Sequence, residues 1–185
     1  MSKDFIVTYT GIKFYITNPK PEDINPVDIA HSLSLMCRGN GHLGHFYSVA
    51  QHCINCYNEA KARGYSKKVQ LALLLHDASE GYISDITRPV KQFLPEYFKL
   101  EKAIQDCIYK RFGIDSLTDE ERSLIGEIDD NFLCVEFEDN HVYKGAFKLT
   151  SPIISKPILE FKDMGIIEKM YLELLRATET IRTTP

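Results

Sequence analysis

The chain lacks several features that would place it in common classes of protein. Its 185 residues contain no run of Lys or Arg, and the net charge of −4 is spread along the chain. This argues against non-specific binding to nucleic acids or membrane surfaces. The longest purely apolar runs have about five residues, too few for a membrane span, and residues 1–4 lead into a strand-like segment rather than a signal peptide. We therefore expect a soluble cytoplasmic protein.

The cysteine pattern also excludes more than it assigns. The five cysteines are Cys37, Cys53, Cys56, Cys107 and Cys134. An odd number scattered through helical segments suits buried thiols in a reducing compartment. Cys53 and Cys56 form a CxxC, but no second CxxC follows and no redox βαβ pattern surrounds it, which disfavours a zinc ribbon or a thioredoxin-like site. The H-x-E and P-C-x-x-C strings of zinc deaminases do not occur.

Length and patterning predict one all-α domain over residues 1–185. With 44% apolar residues, the chain can form one compact core but is too short for two ordinary domains. Aromatic and β-branched residues around Thr10-Gly11 predict a small hairpin over about 5–17. The remainder, about 26–182, is predicted to be a helical core. The expected helices cover about 26–37, 46–63, 66–80, 95–112, 118–138 and 157–182.

Local signals mark where several of these helices begin and what separates them. Asn25-Pro26 provides an N-cap followed by proline at the first helical position, and Thr118–Glu121 reads as a capping box. Three glycines within residues 38–45 predict a loop whose backbone can approach a ligand closely. Two prolines and a glycine within 81–95 predict short turns.

The segment "LALLLHDASEGYISD" raises the question of function. Its apolar start predicts a buried helix, which then runs into His76 and Asp77, with Glu80 one turn later. Burying a His-Asp pair without partners is unfavourable. The pair is therefore either a satisfied structural contact or part of a metal site.

Two further polar residues lie on apolar helix faces. His52 shares a face with Val49 and Cys56, and Asp129 flanks the stripe of Ile125, Ile128 and Phe132, whereas Asp130 lies roughly opposite. Taken singly, an inward His is more often bonded to a carbonyl, and an inward Asp is more often a cap or an ion-pair partner. Together with His76 and Asp77, however, they provide two imidazoles and two carboxylates from three helices. Such a set suits an open divalent-metal site.

The order H…HD…D resembles the HD-domain metal-dependent phosphohydrolases, an all-α family. The blocks "DIAHSLSLMCRGNGHLGHFYSVAQHC", "LLHDASEGYISDITRPVKQFLPEY" and "EIDDNFLCVEFED" look like successive parts of its 5'-deoxynucleotidase-like branch, which includes phage dATP triphosphohydrolases. The resemblance covers about residues 11–139. The strings "FYSVAQH", "HDASE" and "SDI-x-x-PVK" carry most of its specificity.

The resemblance implies a role for each matched residue. It makes His52, His76, Asp77 and Asp129 the ligands of a divalent ion, which would be Co²⁺, Mn²⁺, Mg²⁺ or Zn²⁺. Glu80, one turn beyond Asp77, becomes a catalytic carboxylate, with Asp77 or Glu80 managing the proton. Arg38, whose planar fork suits phosphate oxygens, and Lys91 become phosphate contacts, and Asp85 lies near the sugar.

Two positions depart from the family pattern. Relatives usually carry an aromatic residue directly after the arginine, lining the sugar or base pocket, where this chain has Gly39. Some relatives place a lysine three residues before the last ligand, where this chain has Gly126. These changes bear on nucleotide selectivity and on contacts to a triphosphate.

We therefore expect a metal-dependent enzyme that hydrolyses phosphate from (deoxy)nucleoside 5'-phosphates. One alternative with the same site is a dATP or dNTP triphosphohydrolase, and one of another class is a non-catalytic nucleotide-sensing module. A cyclic-dinucleotide phosphodiesterase would need "HDxGK", whereas this chain reads "HDASE". The expected partners are a nucleotide and further copies of the chain in a homo-oligomer, with no nucleic acid polymer and no membrane.

Overall fold

Most of the chain is helical, with one small sheet at its N-terminal end. A computed structural model describes residues 4–114, 116–139, 145 and 147–180. The helices within these residues are α1 (Pro26–Leu35), α2 (Val49–Ala62), α3 (Lys67–Leu75), α4 (Glu80–Ile83), α5 (Arg88–Lys91), α6 (Pro95–Arg111), α7 (Asp119–Asp139) and α8 (Met164–Thr180). The predicted all-α fold class is confirmed.

The sheet is an antiparallel hairpin of β1 (Phe5–Val7) and β2 (Lys13–Tyr15). Gly11 has a φ of +85° in the connection, a left-handed conformation that glycine adopts without strain. The hairpin is fixed to α1 because Asp28 accepts hydrogen bonds from the backbone and the hydroxyl of Thr10. The predicted hairpin is therefore confirmed.

The predicted caps are present at the starts of the helices. The Asn25 side chain caps α1 by accepting a hydrogen bond from the Val27 N–H, and Pro26 follows as the first helical residue. In the capping box, Thr118 N–H donates to Glu121 and Glu121 N–H donates back to the Thr118 hydroxyl. The helix predicted over 46–63 begins later, at Val49, because the Ser48 side chain caps it by accepting the Gln51 N–H.

Helix α2 lies at the centre of the molecule. It packs against α1, α3, α7 and α8, and its residues 49–57 are buried in an unbroken run. A helix enclosed on several sides must satisfy its polar side chains inside the protein. The side chains of α2 are therefore positioned by tertiary contacts on more than one face.

The helix predicted over 66–80 is interrupted by the side chain of Gln105 from α6. Gln105 Nε2 donates to Leu75 O, and its Oε1 accepts the Ser79 N–H. In an uninterrupted helix these two backbone groups would bond to each other. The inserted amide divides the segment into α3, a turn over 76–79 and α4. His76 and Asp77 consequently lie in this turn rather than inside a helix.

The last helix begins at Met164 rather than near Pro157. Residues 151–163, here called the strap, run outside regular structure along α2. Gln51, Asn55 and Glu59 hold the strap through its backbone N–H and C=O groups. Because side chains of α2 already occupy these backbone groups, the strap is held in a non-helical conformation.

In the part of the chain that the structure describes, no helix is long and apolar enough to cross a membrane. The expectations of a single domain, of self-association and of a cytoplasmic location stay predictions.

Candidate metal centre

The four predicted metal ligands come together in space from three places in the fold. His52 is on α2, His76 and Asp77 are in the turn after α3, and Asp129 is on α7. His52 Nε2 lies 3.2 Å from His76 Nε2 and 3.1 Å from Asp129 Oδ1. His76 Nε2 lies 3.3 Å from Asp77 Oδ2 and 3.7 Å from Asp129 Oδ1. Donor atoms that share an ion at about 2.0–2.2 Å stand about 3.0–3.5 Å apart, so these separations suit a bound cation.

The hydrogen bonds of the two Nδ1 atoms determine which tautomer each neutral imidazole adopts. His52 Nδ1 lies 2.7 Å from Glu136 Oε1, and His76 Nδ1 lies 2.7 Å from Leu73 O. Both partners are acceptors, so each neutral ring carries its proton on Nδ1 and turns the Nε2 lone pair inward. Two lone pairs facing each other at 3.2 Å beside two carboxylates favour a cation between them.

In the metal-free protein, protons compete for the same groups. Burial is the largest influence and disfavours the His76 imidazolium, but the interactions with Asp77, Cys53 and Asp129 together outweigh it and raise the pKa of His76. Burial likewise opposes ionisation of Asp129, yet its hydrogen bonds with His52 and His76 lower its pKa. Metal binding must displace protons from the imidazoles, so we expect it to weaken as pH falls.

Two thiols of α2 lie close to the imidazoles. Two groups of side chains could each hold a metal ion: His52 with Cys56 and His76, and Cys53 with His76 and Asp77. Cys56 Sγ is 3.5 Å from His52 Nε2 and 3.9 Å from His52 Nδ1. Because the sulfur is almost equally far from both ring nitrogens, it lies beside the ring and not along the Nε2 lone pair. Burial raises the pKa of the Cys56 thiol, which disfavours the thiolate that a metal needs. Asp129 therefore fits better than Cys56 as the remaining ligand.

Arg38, the predicted phosphate contact, lies directly against the ligand carboxylates. Its Nη1 is 3.4 Å from Asp77 Oδ2, its Nη2 is 3.4 Å from Asp129 Oδ1, and its Nε donates to Glu136 Oε2 at 2.9 Å. The side chain is only 11% exposed. A buried guanidinium at this position would meet an anion bound to the metal.

Glu136 contacts the candidate site, although the sequence assigned it no role. It is fully buried and receives hydrogen bonds from His52, Arg38 and the Tyr47 hydroxyl. Burial opposes its charge, but His52 and Arg38 together lower its pKa. A carboxylate that orients a ligand imidazole is a recurrent part of metal sites. Its spacing of seven residues after Asp129, two turns along one helix edge, was the available signal.

Glu80 is buried close enough to Asp77 for the charge of that carboxylate to act on it. Its Oε1 accepts a hydrogen bond from Lys91 at 3.3 Å, whereas its Oε2 is buried without a hydrogen-bond partner among the described residues. Burial, together with the charges of Asp77 and Asp85, raises its pKa. A carboxyl group that keeps its proton beside a metal site is suited to donate it.

Lys91 and Asp85 both lie near Glu80. Lys91 Nζ donates to Glu101 Oε1 at 2.5 Å as well as to Glu80, so its charge acts on the site through Glu80. Asp85 accepts a hydrogen bond from the backbone of Gly39, although burial raises its pKa overall. The predicted sugar-side residues Asp85 and Gly39 are therefore neighbours.

Gly39 occupies a position that disfavours a side chain for two reasons. Its φ is +61°, in the left-handed region, and a Cβ built there would lie 3.1 Å from a ring atom of Phe137. The Phe137 ring also packs edge-on against Phe147, with ring centroids 5.5 Å apart. An aromatic side chain thus borders this loop from α7.

Arg88 is a second residue that sequence reasoning missed, although it stands in the quoted "RPVK" string. From α5 it donates to Asp129 Oδ2 at 2.6 Å and to Asp130 Oδ1. It thereby contacts the ligand carboxylate on the oxygen opposite to the one that faces His52. Both of these partners lie on α7, within four residues after Gly126. A Cβ built at Gly126 would meet no atom within 4 Å.

Comparison with known proteins gives relatives without an assigned role. No family model matches the chain. It is 41% identical over 110 residues to the uncharacterized protein YfdR of Escherichia coli strain K12, which covers 60% of this chain and 59% of YfdR. It is 34% identical over 114 residues to the uncharacterized protein RCAP_rcc00048 of Rhodobacter capsulatus, which covers 58% of each chain. The chain therefore spans less than two thirds of the length of these curated relatives.

Proposed function

We propose that this protein is a divalent-metal-dependent phosphohydrolase of the HD-domain type that acts on (deoxy)nucleoside 5'-phosphates. The observation that carries the proposal is the convergence of two imidazole Nε2 atoms and two carboxylates beside a buried arginine and a carboxyl group with a raised pKa. A structural ion pair would account for one His-Asp contact. It would not account for two imidazole Nε2 atoms and two carboxylates that converge next to a carboxyl group with a raised pKa.

The ion would be held by His52, His76, Asp77 and Asp129, and when bound it supplies the Lewis acidity that polarises a phosphoryl oxygen and acidifies water. Arg38 binds the non-bridging oxygens of the phosphate and offsets the charge that develops on them. Its Nη1 and Nη2 already point at the ligand carboxylates. The phosphate is thereby held at the ion by a guanidinium fork.

Glu80 delivers the proton that the leaving group requires. As the bond between phosphorus and the ester oxygen breaks and a bond from water forms, the Glu80 carboxyl gives its proton to the departing nucleoside oxygen. Lys91, 3.3 Å from Glu80 Oε1, stabilises the carboxylate that remains. Asp77, one of the residues that would hold the ion, orients the water and accepts its proton.

The nucleoside would lie on the side of Gly39 and Asp85. Asp85, which the Gly39 backbone already contacts, accepts a hydrogen bond from a hydroxyl group of the sugar. The space that an aromatic side chain would fill at position 39 is partly taken by Phe137. Base preference would then depend on Phe137 as well as on the loop.

The test is a product assay on the metal-loaded protein. Mono- and triphosphates of the common nucleosides are incubated with it, and phosphate, pyrophosphate and triphosphate are separated. We expect phosphate from monophosphates, whereas triphosphate release would indicate the triphosphohydrolase alternative. Stoichiometric nucleotide binding with no product from any nucleotide would indicate the sensing module. Absence of both binding and turnover would contradict the proposal.

A further inference from the structure

Arg88 links the candidate metal centre to solvent. Its side chain is 60% exposed, yet its Nη2 lies 2.6 Å from Asp129 Oδ2. The other guanidinium nitrogen binds Asp130, whose side chain is 54% exposed. Arg88 therefore connects solvent to Asp129, one of the predicted metal ligands.

Arg38 and Arg88 approach Asp129 from its two different oxygens. Arg38 contacts Oδ1, the oxygen that faces His52, and Arg88 contacts Oδ2. A chain of phosphates whose first group lies at the ion and Arg38 would pass Asp129 to reach Arg88. The two cations are thus placed for neighbouring phosphate groups rather than for the same one.

The helix that carries the partners of Arg88 has a glycine one turn before them. Gly126 lies three residues before Asp129 and four before Asp130, so all three share one side of α7. Gly126 is exposed, and a Cβ there would meet nothing within 4 Å. This position on α7, one turn before the two carboxylates that Arg88 contacts, therefore presents no side chain to a bound anion.

We propose that Arg88 binds the phosphate groups beyond the one at the metal, so that the site holds polyphosphate chains more tightly than a single phosphate. This inference rests on the proposed function for the position of the first phosphate. A guanidinium binds two phosphate oxygens in the same planar geometry with which it now binds two carboxylates. It therefore needs no new conformation of its fork to exchange partners.

The present partners of Arg88 do not prevent this exchange. Exposed ion pairs contribute little net stability because water solvates the separated charges. Asp130 is more than half exposed and returns to water when released. Asp129 keeps its contacts to His52 and His76 on the other oxygen.

A purely structural role predicts a different pattern. If Arg88 only held Asp129 in place, its loss would weaken metal binding and, through the metal, every phosphate ligand equally. Under the proposal, the loss depends on the length of the phosphate chain. The ratio of two affinities, rather than either one alone, distinguishes these roles.

The experiment measures binding of inorganic phosphate and of tripolyphosphate to the protein, with the metal ion in excess over both. The proteins are the wild type, Arg88→Ala, Arg88→Lys and Lys102→Ala, a control that removes an exposed cation paired with Asp106. Metal affinity is measured on each protein. Because neither ligand contains a nucleoside ester, the test does not depend on turnover.

We expect Arg88→Ala to weaken tripolyphosphate by about tenfold to a hundredfold, the effect of one lost charged hydrogen-bond contact, and phosphate by less than about threefold. Arg88→Lys should recover part of the loss, and Lys102→Ala should change neither ligand. Equal losses for both ligands, losses explained by weaker metal binding, or no loss at all would overturn the inference. If the chain-length effect appears while the product assay shows no hydrolysis, the inference stands and the proposed enzymatic function fails.

Discussion

Arg38 and Arg88 contact the same carboxylate, yet their surroundings differ in almost every respect. Arg38 belongs to an inner wall formed with His52, His76 and Glu136, in which each polar group has a buried partner. Arg88 and Asp130 form an outer rim that is largely exposed. Buried networks fix geometry because leaving a group unpaired is unfavourable, whereas exposed pairs rearrange readily. The inner wall is therefore suited to define the metal position, and the rim to respond to the substrate.

The largest expected effect follows from breaking the inner wall at a ligand. In His76→Ala the remaining donors hold an ion more than about a hundredfold less tightly, since loss of a mere ligand-orienting partner already reduces affinity about 10–100-fold. Hydrolysis should fall to background. Elemental analysis, together with the stabilisation produced by added metal ion, measures the loss. His31→Ala, which removes a histidine paired with Glu168 away from the centre, should retain full metal content.

The next-largest effect concerns Glu80, which lies near Asp77 and Lys91. Glu80→Gln should reduce kcat by about a hundredfold while metal and nucleotide still bind, because it removes only the transferable proton. Single-turnover kinetics on the metal-loaded variant measure this. An unchanged kcat would show that another group moves the proton.

The same residue gives a pH prediction that needs no activity. Burial and the charges of Asp77 and Asp85 raise the pKa of Glu80 in the folded protein. The folded state then binds more protons than the unfolded state, so the Glu80 contribution to the free energy of unfolding decreases as pH rises through its folded pKa. Glu80→Gln removes this decrease. Urea unfolding of metal-free protein should show the variant gaining stability relative to wild type from acid to alkaline pH.

Substitutions in the inner wall and in the outer rim should change metal affinity by different amounts, and both changes are smaller than that of His76→Ala. Glu136→Gln removes the carboxylate charge behind His52 and should weaken metal binding by about 10–100-fold. Asp130→Asn changes a carboxylate to an amide on the same helix, and it should alter metal affinity by less than about threefold because the group is exposed. Isothermal titration with the metal ion measures both. Equal effects would remove the distinction between wall and rim.

The smallest expected effect is a change in stability caused by a substitution in the loop that contains Gly39. Gly39→Ala should lower the free energy of unfolding by about 1–2 kcal/mol, since a Cβ is unfavourable at positive φ and would press on Phe137. Chemical denaturation measures the loss. In a Phe137→Ala background the steric part disappears and the backbone part remains. A substitution without effect in either background would mean that the loop adopts another conformation.

Helix periodicity was sufficient to predict the fold class and to choose inward-facing residues. His52 and Asp129 were selected from the apolar faces of their helices, and the structure brings both next to His76. Their assignment as ligands stays a prediction. This part of the site was accessible because a helical stripe is local information and requires no knowledge of how helices cross.

Contacts between distant segments were not accessible in this way. The Gln105 amide interrupts the helix before His76 from 30 residues further along the chain, and no local pattern announces it. Arg88 reaches Asp129 across 41 residues and Glu136 reaches His52 across 84. Each of these depends on the angles at which helices pack, which the sequence pattern does not specify.

The strap along α2 has a consequence for how the two segments can vary in evolution. Gln51, Asn55 and Glu59 follow one another at four-residue spacing and bind the strap through its main chain. Main-chain groups are the same whatever residues the strap carries, with proline excluded where an N–H is used. Selection should therefore retain the three polar side chains of the helix while allowing the sequence of the segment they grip to drift.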